Sequence, residues 1–361
     1  MYKRITSLFL IMCFALTIFI PTAVAAEEGN KLTLNEAIKM AIERNRDLKI
    51  KELNIDKTDE ELEDLEDTIK YISPGVYIPG VTNPYAGYLM KRTEHRIAQK
   101  TYEAIEQQMV VDVKELYYEI LKSQQNVELS EKALELAKNH NNIAQVKHEL
   151  GMITKAELLG YNTKLANAQS ELVSAQHNVT ENQTKLAQLI GLNNDFNYEL
   201  VDEVTFEKAE FESLDYVIAQ ALSQRYEIWA AERLAGITDR VKDFVDNYNV
   251  GEINADIKDL EAGNAKDQMK KNIESLYLSI EYMEEAYDTA KQNLTAAEEK
   301  LRVTEAMNEV GMTTDIQLKE TQQEYNQAAK NLKDLEYQYD FIKTQLEVLS
   351  GDDILASVLG E

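Results

Sequence analysis

Apolar residues in this chain recur at the heptad spacing of long packed helices, and four such series can be read along it. Leu158, Leu165, Leu172, Val179 and Leu186 fall every seven residues, each followed three positions on by Tyr161, Ala168, Ala175, Asn182 and Leu189. Leu318, Tyr325, Leu332, Tyr339 and Leu346 do the same, with Thr321, Ala328, Leu335, Ile342 and Leu349. Upstream of each lies a third and a fourth series, Val113–Ile120–Val127–Leu134–Asn141 and Ile273–Ile280–Tyr287–Leu294–Leu301. An a/d pattern sustained over five heptads predicts coiled-coil packing. Many of the d-type positions are alanine or threonine. Small residues let helices approach closely and suit a seam only partly buried in the wall of a larger assembly; a plain four-helix bundle is the simpler alternative.

The pattern is duplicated, which a repeat search should catch first. HELGMITKAELL (148–159) matches NEVGMTTDIQLK (308–319), aligning Gly151 with Gly311, Met152 with Met312 and Thr154 with Thr314 at an offset of 160 residues. The same offset maps Gly191 onto Gly351. Each copy also opens alike: KLTLNEAIKMAIERNRDLKI (31–50) resembles ESLDYVIAQALSQRYEIWAA (212–231), with Leu34 on Leu214 at an offset of 180. Copy one therefore carries 20 extra residues, which the sequence assigns to YISPGVYIPGVTNPYAGYL (71–89).

The fold class expected is all-α, two tandem repeats of long antiparallel coiled-coil helices. The reading places a signal peptide at 1–26, repeat one at 27–192, a linker at 193–211, repeat two at 212–351 and a tail at 352–361. Helices are expected over about 34–46, 48–71, 92–150, 155–190, 214–247, 266–310 and 315–349. The Pro/Gly/Tyr segment 72–90 and its counterpart 247–265 interrupt them. The helix at 92–150 would span roughly 85 Å at about 1.5 Å per residue. Proline usage agrees: Pro21, Pro74, Pro79 and Pro84 are the four in the chain, and long helices tolerate none inside.

Lys3 and Arg4 precede an apolar run, Ile5 to Ile20, then Pro21 and small residues at 23–26, the layout of a secretory signal. Cys13, the only cysteine, lies inside that run, so a mature chain has neither disulfide nor thiolate site. Thirty-eight basic against 64 acidic residues give a net charge of −26, which argues against nucleic acid as a partner. His95, His140, His148 and His177 are scattered at no metal spacing and read as solvated. The chain has no nucleophile elbow, P-loop or dinucleotide fingerprint, so an enzyme is not expected, nor a cofactor or metal.

Local chemistry concentrates at the duplicated glycines. Gly151 and Gly311 read as left-handed residues ending the long helices. Thr154 with Glu157, and Thr314 with Gln317, read as capping boxes opening the next helix. Glu320 has no such local role.

LTLNEAIKMAIERNRDL, LGMITKAELL, VGMTTDIQL, LAQLIG and LEVLSG, in order and duplicated, resemble the TolC-type outer membrane efflux family over about 31–351. The resemblance implies a homotrimeric helical tunnel across the periplasm, serving an inner-membrane transporter through a periplasmic adaptor, with membrane contact and an outer-membrane location. An extracytoplasmic envelope surface is the alternative in a host without an outer membrane. It also implies that the tips at Gly151, Met152, Thr154, Gly311, Met312 and Thr314 meet the adaptor, and that Glu157 and Glu320 are candidate entrance acids whose carboxylates, ringed by symmetry, would favour cations. A membrane strand needs about 9–11 residues of alternating polarity. Neither 72–90 nor 247–265 offers two, so little or no β-barrel is expected. The competing reading is a secreted or surface coiled-coil protein that kept the fold but not the channel.

Overall fold

The computed structural model describes residues 30–71, 83–192, 196–245 and 247–359, with backbone alone at 357–359. The signal segment 1–26 and the run 72–82 lie outside them. The elements are β1 (Asn30–Leu32), α1 (Leu34–Arg44), α2 (Arg46–Ile69), α3 (Pro84–Glu149), α4 (Lys155–Leu189), β2 (Tyr198–Leu200), α5 (Leu214–Gln224), α6 (Tyr226–Val241), α7 (Tyr248–Glu309), α8 (Asp315–Ser350) and α9 (Ile354–Leu359). At 66 and 62 residues, α3 and α7 run about 99 and 93 Å.

The heptad seams are where they were expected. Along α4 from Leu158 to Asn182, the residues shielded from solvent are the a and d positions alone: Leu158, Tyr161, Leu165, Ala168, Leu172, Ala175, Val179 and Asn182. That stripe faces α3, and the two make one antiparallel hairpin; α7 and α8 make the other. Helices α3 and α8 then pack against each other, so the wall order is α4–α3–α8–α7. At the end away from the hairpin turns, α2 covers α3, α6 covers α7, and α6 also meets α3.

Two cores lie midway along the hairpins, one per copy. Ala37, Ala41, Leu48, Val113, Ile120 and Leu186 fill the first. Val217, Ala221, Ile228, Ile273, Ile280 and Leu346, their counterparts at the two offsets, fill the second. Each is closed by a left-handed glycine. Gly191 (φ 73°) and Gly351 (φ 92°) end α4 and α8 against the last turn of α1 and α5. A Cβ on Gly191 would stand 2.7 Å from Arg44 Cβ, and one on Gly351 2.8 Å from Gln224 Cβ. Only glycine combines the positive φ with so close an approach.

Several boundaries differ from the sequence reading. The helix expected over 214–247 breaks at Arg225, whose extended backbone (ψ 131°) matches Asn45 (ψ 125°), the break in copy one. Asn45 caps α2 through its own Oδ1, accepting from Asp47 and Leu48 N–H. Arg225 cannot cap; its buried guanidinium instead donates to Val348 O at 2.8 Å and to Glu227. The segment 247–265 is helical from Tyr248 on, because Gly251, Ala255 and Ala262 bury a small-residue stripe; Gly251 sits too close to Lys242 O for any larger residue. Pro84 breaks nothing: it opens α3 at its first turn, where its missing N–H costs no bond, with Asn83 as the cap. The surplus of copy one is correspondingly spread, part of it in α2, which has 24 residues against 16 in α6. The tail forms α9, and the linker carries an unforeseen strand.

That strand, β2, pairs in parallel with β1, Lys31 opposite Glu199. Tyr117 locks the pair to α3. Its buried hydroxyl accepts from Val201 and Asp202 N–H at 3.1 and 3.3 Å and lies 2.9 Å from Leu32 O. Burial, then the Asp202 carboxylate, pushes its pKa well up. Among the described residues these are the only strands, and they form no closed barrel. Fourteen residues separate α2 from α3 and six separate α6 from α7. Neither interval is long enough for two membrane strands of about 9–11 residues. No helix among the described residues is long and apolar enough to cross a membrane.

Candidate functional site: the helix–turn–helix tips

The two tips are built alike. Leu150 ends α3, and Gly151 at φ 71° turns the chain; Met152 N–H donates back to Lys147 O at 2.7 Å and Gly151 N–H to His148 O at 2.9 Å. In copy two Gly311 sits at φ 74°, Met312 N–H reaches Met307 O at 2.8 Å, and Gly311 N–H reaches Asn308 O at 2.9 Å. These 6→1 bonds from the methionines and 5→2 bonds from the glycines satisfy carbonyls that a bare helix end would orphan. A Cβ on either glycine would touch nothing within 4 Å, so φ alone requires glycine here.

Next comes the cap. Thr154 Oγ1 accepts from Glu157 N–H at 3.2 Å, while Glu157 Oε2 accepts from Thr154 N–H at 2.7 Å and Oγ1–H at 2.8 Å. The backbone bond from Thr154, then its hydroxyl, holds the Glu157 carboxyl below the usual range. Glu157 is thus tied to its own helix start. In copy two the box is one-sided, a correction to the sequence reading. Thr314 Oγ1 caps Gln317 N–H at 3.3 Å, but Gln317 Oε1 accepts from Thr313 at 3.1 Å instead of the cap backbone. An amide is a weaker acceptor than a carboxylate, so the neighbouring hydroxyl wins.

Two residues that the sequence reading left aside pin the turns. His148 Nδ1 donates to Ile153 O at 3.1 Å. Its counterpart Asn308 donates to Thr313 O at 3.4 Å and to Asp315 Oδ1 at 3.1 Å. Both occupy the same register in the repeat, the signal that could have found them. His95 also departs from the solvated reading, whereas His177 is exposed as expected. His95 is buried between α2 and α3, with Thr58 Oγ1 and Gln99 Nε2 each 2.9 Å from its ring nitrogens.

Glu320 is placed away from Glu157, one turn further up α8. It pairs with His140 at 3.2 Å, beside a Lys319–Glu135 pair at 2.5 Å. Both pairs bridge α3 and α8, so Glu320 belongs to the joint between the hairpins. Among charged neighbours, each tip also offers large apolar groups to solvent. Leu150 and Met152 are 69% and 68% exposed, Val310 and Met312 70% and 78%. Among the described residues no group of three or more His, Cys, Asp or Glu could hold a metal.

Residues 87–192 and 242–352, one stretch per hairpin, match the sequence model of a family described as outer membrane efflux protein. No curated protein matches the chain in sequence. The fold is shared with solved channels. The Campylobacter jejuni CmeC outer membrane channel aligns at TM-score 0.69 and 14% identity, over 91% of this chain and 88% of that one. The outer membrane protein VceC of Vibrio cholerae aligns at 0.61 and 13%, over 88% and 96%. The open-state MtrE outer membrane channel of Neisseria gonorrhoeae aligns at 0.56 and 13%, over 88% and 89%.

Proposed function

The chain belongs to the outer membrane efflux protein family, and we propose that it is the subunit of a homotrimeric helical duct in the cell envelope, passing substrates received from an inner-membrane transporter through a periplasmic adaptor. At the coarser level it is an efflux-channel protein of the envelope and not an enzyme.

The observation that carries the trimer is the state of the two edges of the wall. Between its tip and the first core, helix α4 packs its a/d stripe on α3, and its other flank exposes Leu159 and Val173. Helix α7 exposes Val250, Ile253, Ile257, Leu260, Leu278 and Tyr282, the last 72% open. Apolar residues in such number on both edges, and only partly shielded seams between, suit a sheet of helices that continues into another copy. Leu159 lies eight residues after Gly151 and Val303 eight before Gly311, so the two edges carry apolar groups at the same height. The exposed Leu150, Met152, Val310 and Met312 suit an apolar partner at the tips, methionine adapting to irregular surfaces. The capped Thr154 and Thr314 would hold that surface rigid. A ring of three Glu157 would lie just behind it.

Light scattering on the purified protein in detergent and in buffer tests this. A trimer is expected in at least one, and Leu159→Cys/Val303→Cys joined by a short bismaleimide should run as a trimer. A monomer throughout would sink the proposal. The short intervals at the far end favour one other reading, a coiled-coil protein that kept the fold without a channel. Recovery of an adaptor by crosslinking from the host envelope, lost in Met152→Glu/Met312→Glu, would eliminate it.

A further inference from the structure

Four of the nine arginines in this acidic chain line one cleft. Arg92 and Arg96 stand one turn apart on α3; Arg233 and Arg240 stand two turns apart on α6, facing them. Around them most basic groups are neutralised: Lys91 by Glu61, Lys242 by Asp239, Lys266 by Glu232. None of the four arginines has an ion-pair partner among the described residues. The one carboxylate at the rim, Glu232, is held by Lys266 at 2.6 Å.

The cleft is also organised. Trp229, the chain's only tryptophan, sits with its ring centre 5.7 Å from the Arg96 guanidinium and 5.6 Å from that of Arg233. Cation–π contact holds a guanidinium near the ring while leaving its N–H donors unused. Leu89 and the buried Ile237 make an apolar wall, Thr93 adds a hydroxyl, and no side chain fills the space over Gly236. The open volume is about 240 Å³. Gathering four like charges is costly unless something negative joins them. All four stand at the surface, open to a ligand, and two of them, Arg96 and Arg233, converge from two helices onto one indole.

We propose that this cleft is a binding site for a phosphate-bearing anion. A guanidinium fork matches phosphate oxygens two at a time; four forks around a cleft of this size fit a multiply charged phosphate better than a single carboxylate. The site lies far from the tips: Arg92 is 59 residues before Gly151, about 88 Å along the helix. At that end the ligand is either an anionic lipid headgroup or a soluble phosphate compound.

Trp229 is a built-in reporter. The full chain is titrated with pyrophosphate at fixed ionic strength, following tryptophan emission, and floated with vesicles of phosphatidylglycerol or phosphatidylcholine. A saturable emission change with pyrophosphate is expected, weakened tenfold or more in Arg96→Gln/Arg233→Gln, each charge being worth about fivefold. Lys138→Gln/Lys147→Gln, which removes equal charge near a tip, should bind as the parent does. Flotation with phosphatidylglycerol alone, reversed by pyrophosphate, would assign the site to lipid. Pyrophosphate binding without flotation would assign it to a soluble phosphate. An absent emission change together with absent flotation, or equal loss in both double variants, would overturn the proposal.

Discussion

Gly151 and Gly191 have nearly the same backbone angle but opposite surroundings, so one substitution at two sites separates strain from packing. At Gly151, φ is 71° and nothing lies within 4 Å of an added Cβ. Alanine there takes on the left-handed penalty of about 1–2 kcal/mol, less roughly 0.4–1 kcal/mol recovered from the stiffer unfolded chain. The net loss is about 1 kcal/mol. At Gly191, φ is 73°, and the new methyl meets Arg44 Cβ at 2.7 Å and Arg44 O at 3.2 Å. The backbone of α1 must move, and it is anchored by Ala37, Ile38 and Ala41 in the first core. Overpacking of that kind adds about 1–3 kcal/mol. Gly191→Ala should therefore cost about 3 kcal/mol in urea unfolding followed by helical circular dichroism, Gly151→Ala about 1. Gly351→Ala, meeting the side chain of Gln224 rather than its backbone, should fall between. Equal losses at Gly151 and Gly191 would refute the idea that α1 docks on the glycine.

Other outcomes follow from the same geometry. Thr154→Ala should cost about 1 kcal/mol and speed amide exchange at Glu157, whereas Thr314→Ala, whose box is one-sided, should cost less. Burial pushes the Glu347 carboxyl above its usual range; the folded state then holds this proton more tightly than the unfolded one, and stability falls as pH rises above about 4.3. Glu347→Gln should accordingly raise the urea midpoint at pH 7 and leave it unchanged at pH 4; a rise at both pH values would mean that charge is not the cause. Lys319→Gln and Glu320→Gln should each change stability by less than about 0.5 kcal/mol, because both pairs stand in solvent, and calorimetry showing more would make the hairpin joint depend on them.

The seams, the two tips and the duplication were legible because each rests on a local rule: heptad spacing, a glycine at a helix end, a threonine at a helix start. What escaped the sequence depends on contacts across the chain. Arg225 carries no breaker signal; its helix stops because its guanidinium reaches Val348 O on a distant helix. Residues 247–265 look irregular until Ala255 and Ala262 are seen packed on their partner. Pro84 reads as an interruption unless Asn83 is recognised as a cap. Glu320 seemed free because His140 is 180 residues away. The arginine cleft joins the two repeats, and no spacing within either announces it.

The wall order α4–α3–α8–α7 has a consequence for how the assembly could loosen. Inside one chain the joint is between the first long helix of copy one and the second of copy two. Between chains of the proposed ring it would be between the second of copy one and the first of copy two, the same joint with the repeats exchanged. Yet the chemistry of the two has diverged. Where the inner joint has Glu135, His140, Lys319 and Glu320, the 160-residue offset puts Thr295, Lys300, Leu159 and Gly160 at the outer one. Near the tips, solvent-exposed charge pairs span the inner joint, whereas the outer one presents Leu159 and Val303 beside Lys300. Salt should loosen only the charged tip end of the inner joint and firm apolar contact at the outer one; nearer the first core Tyr118 packs on Tyr337 across the inner joint, so such a ring would loosen within its subunits at the tips alone.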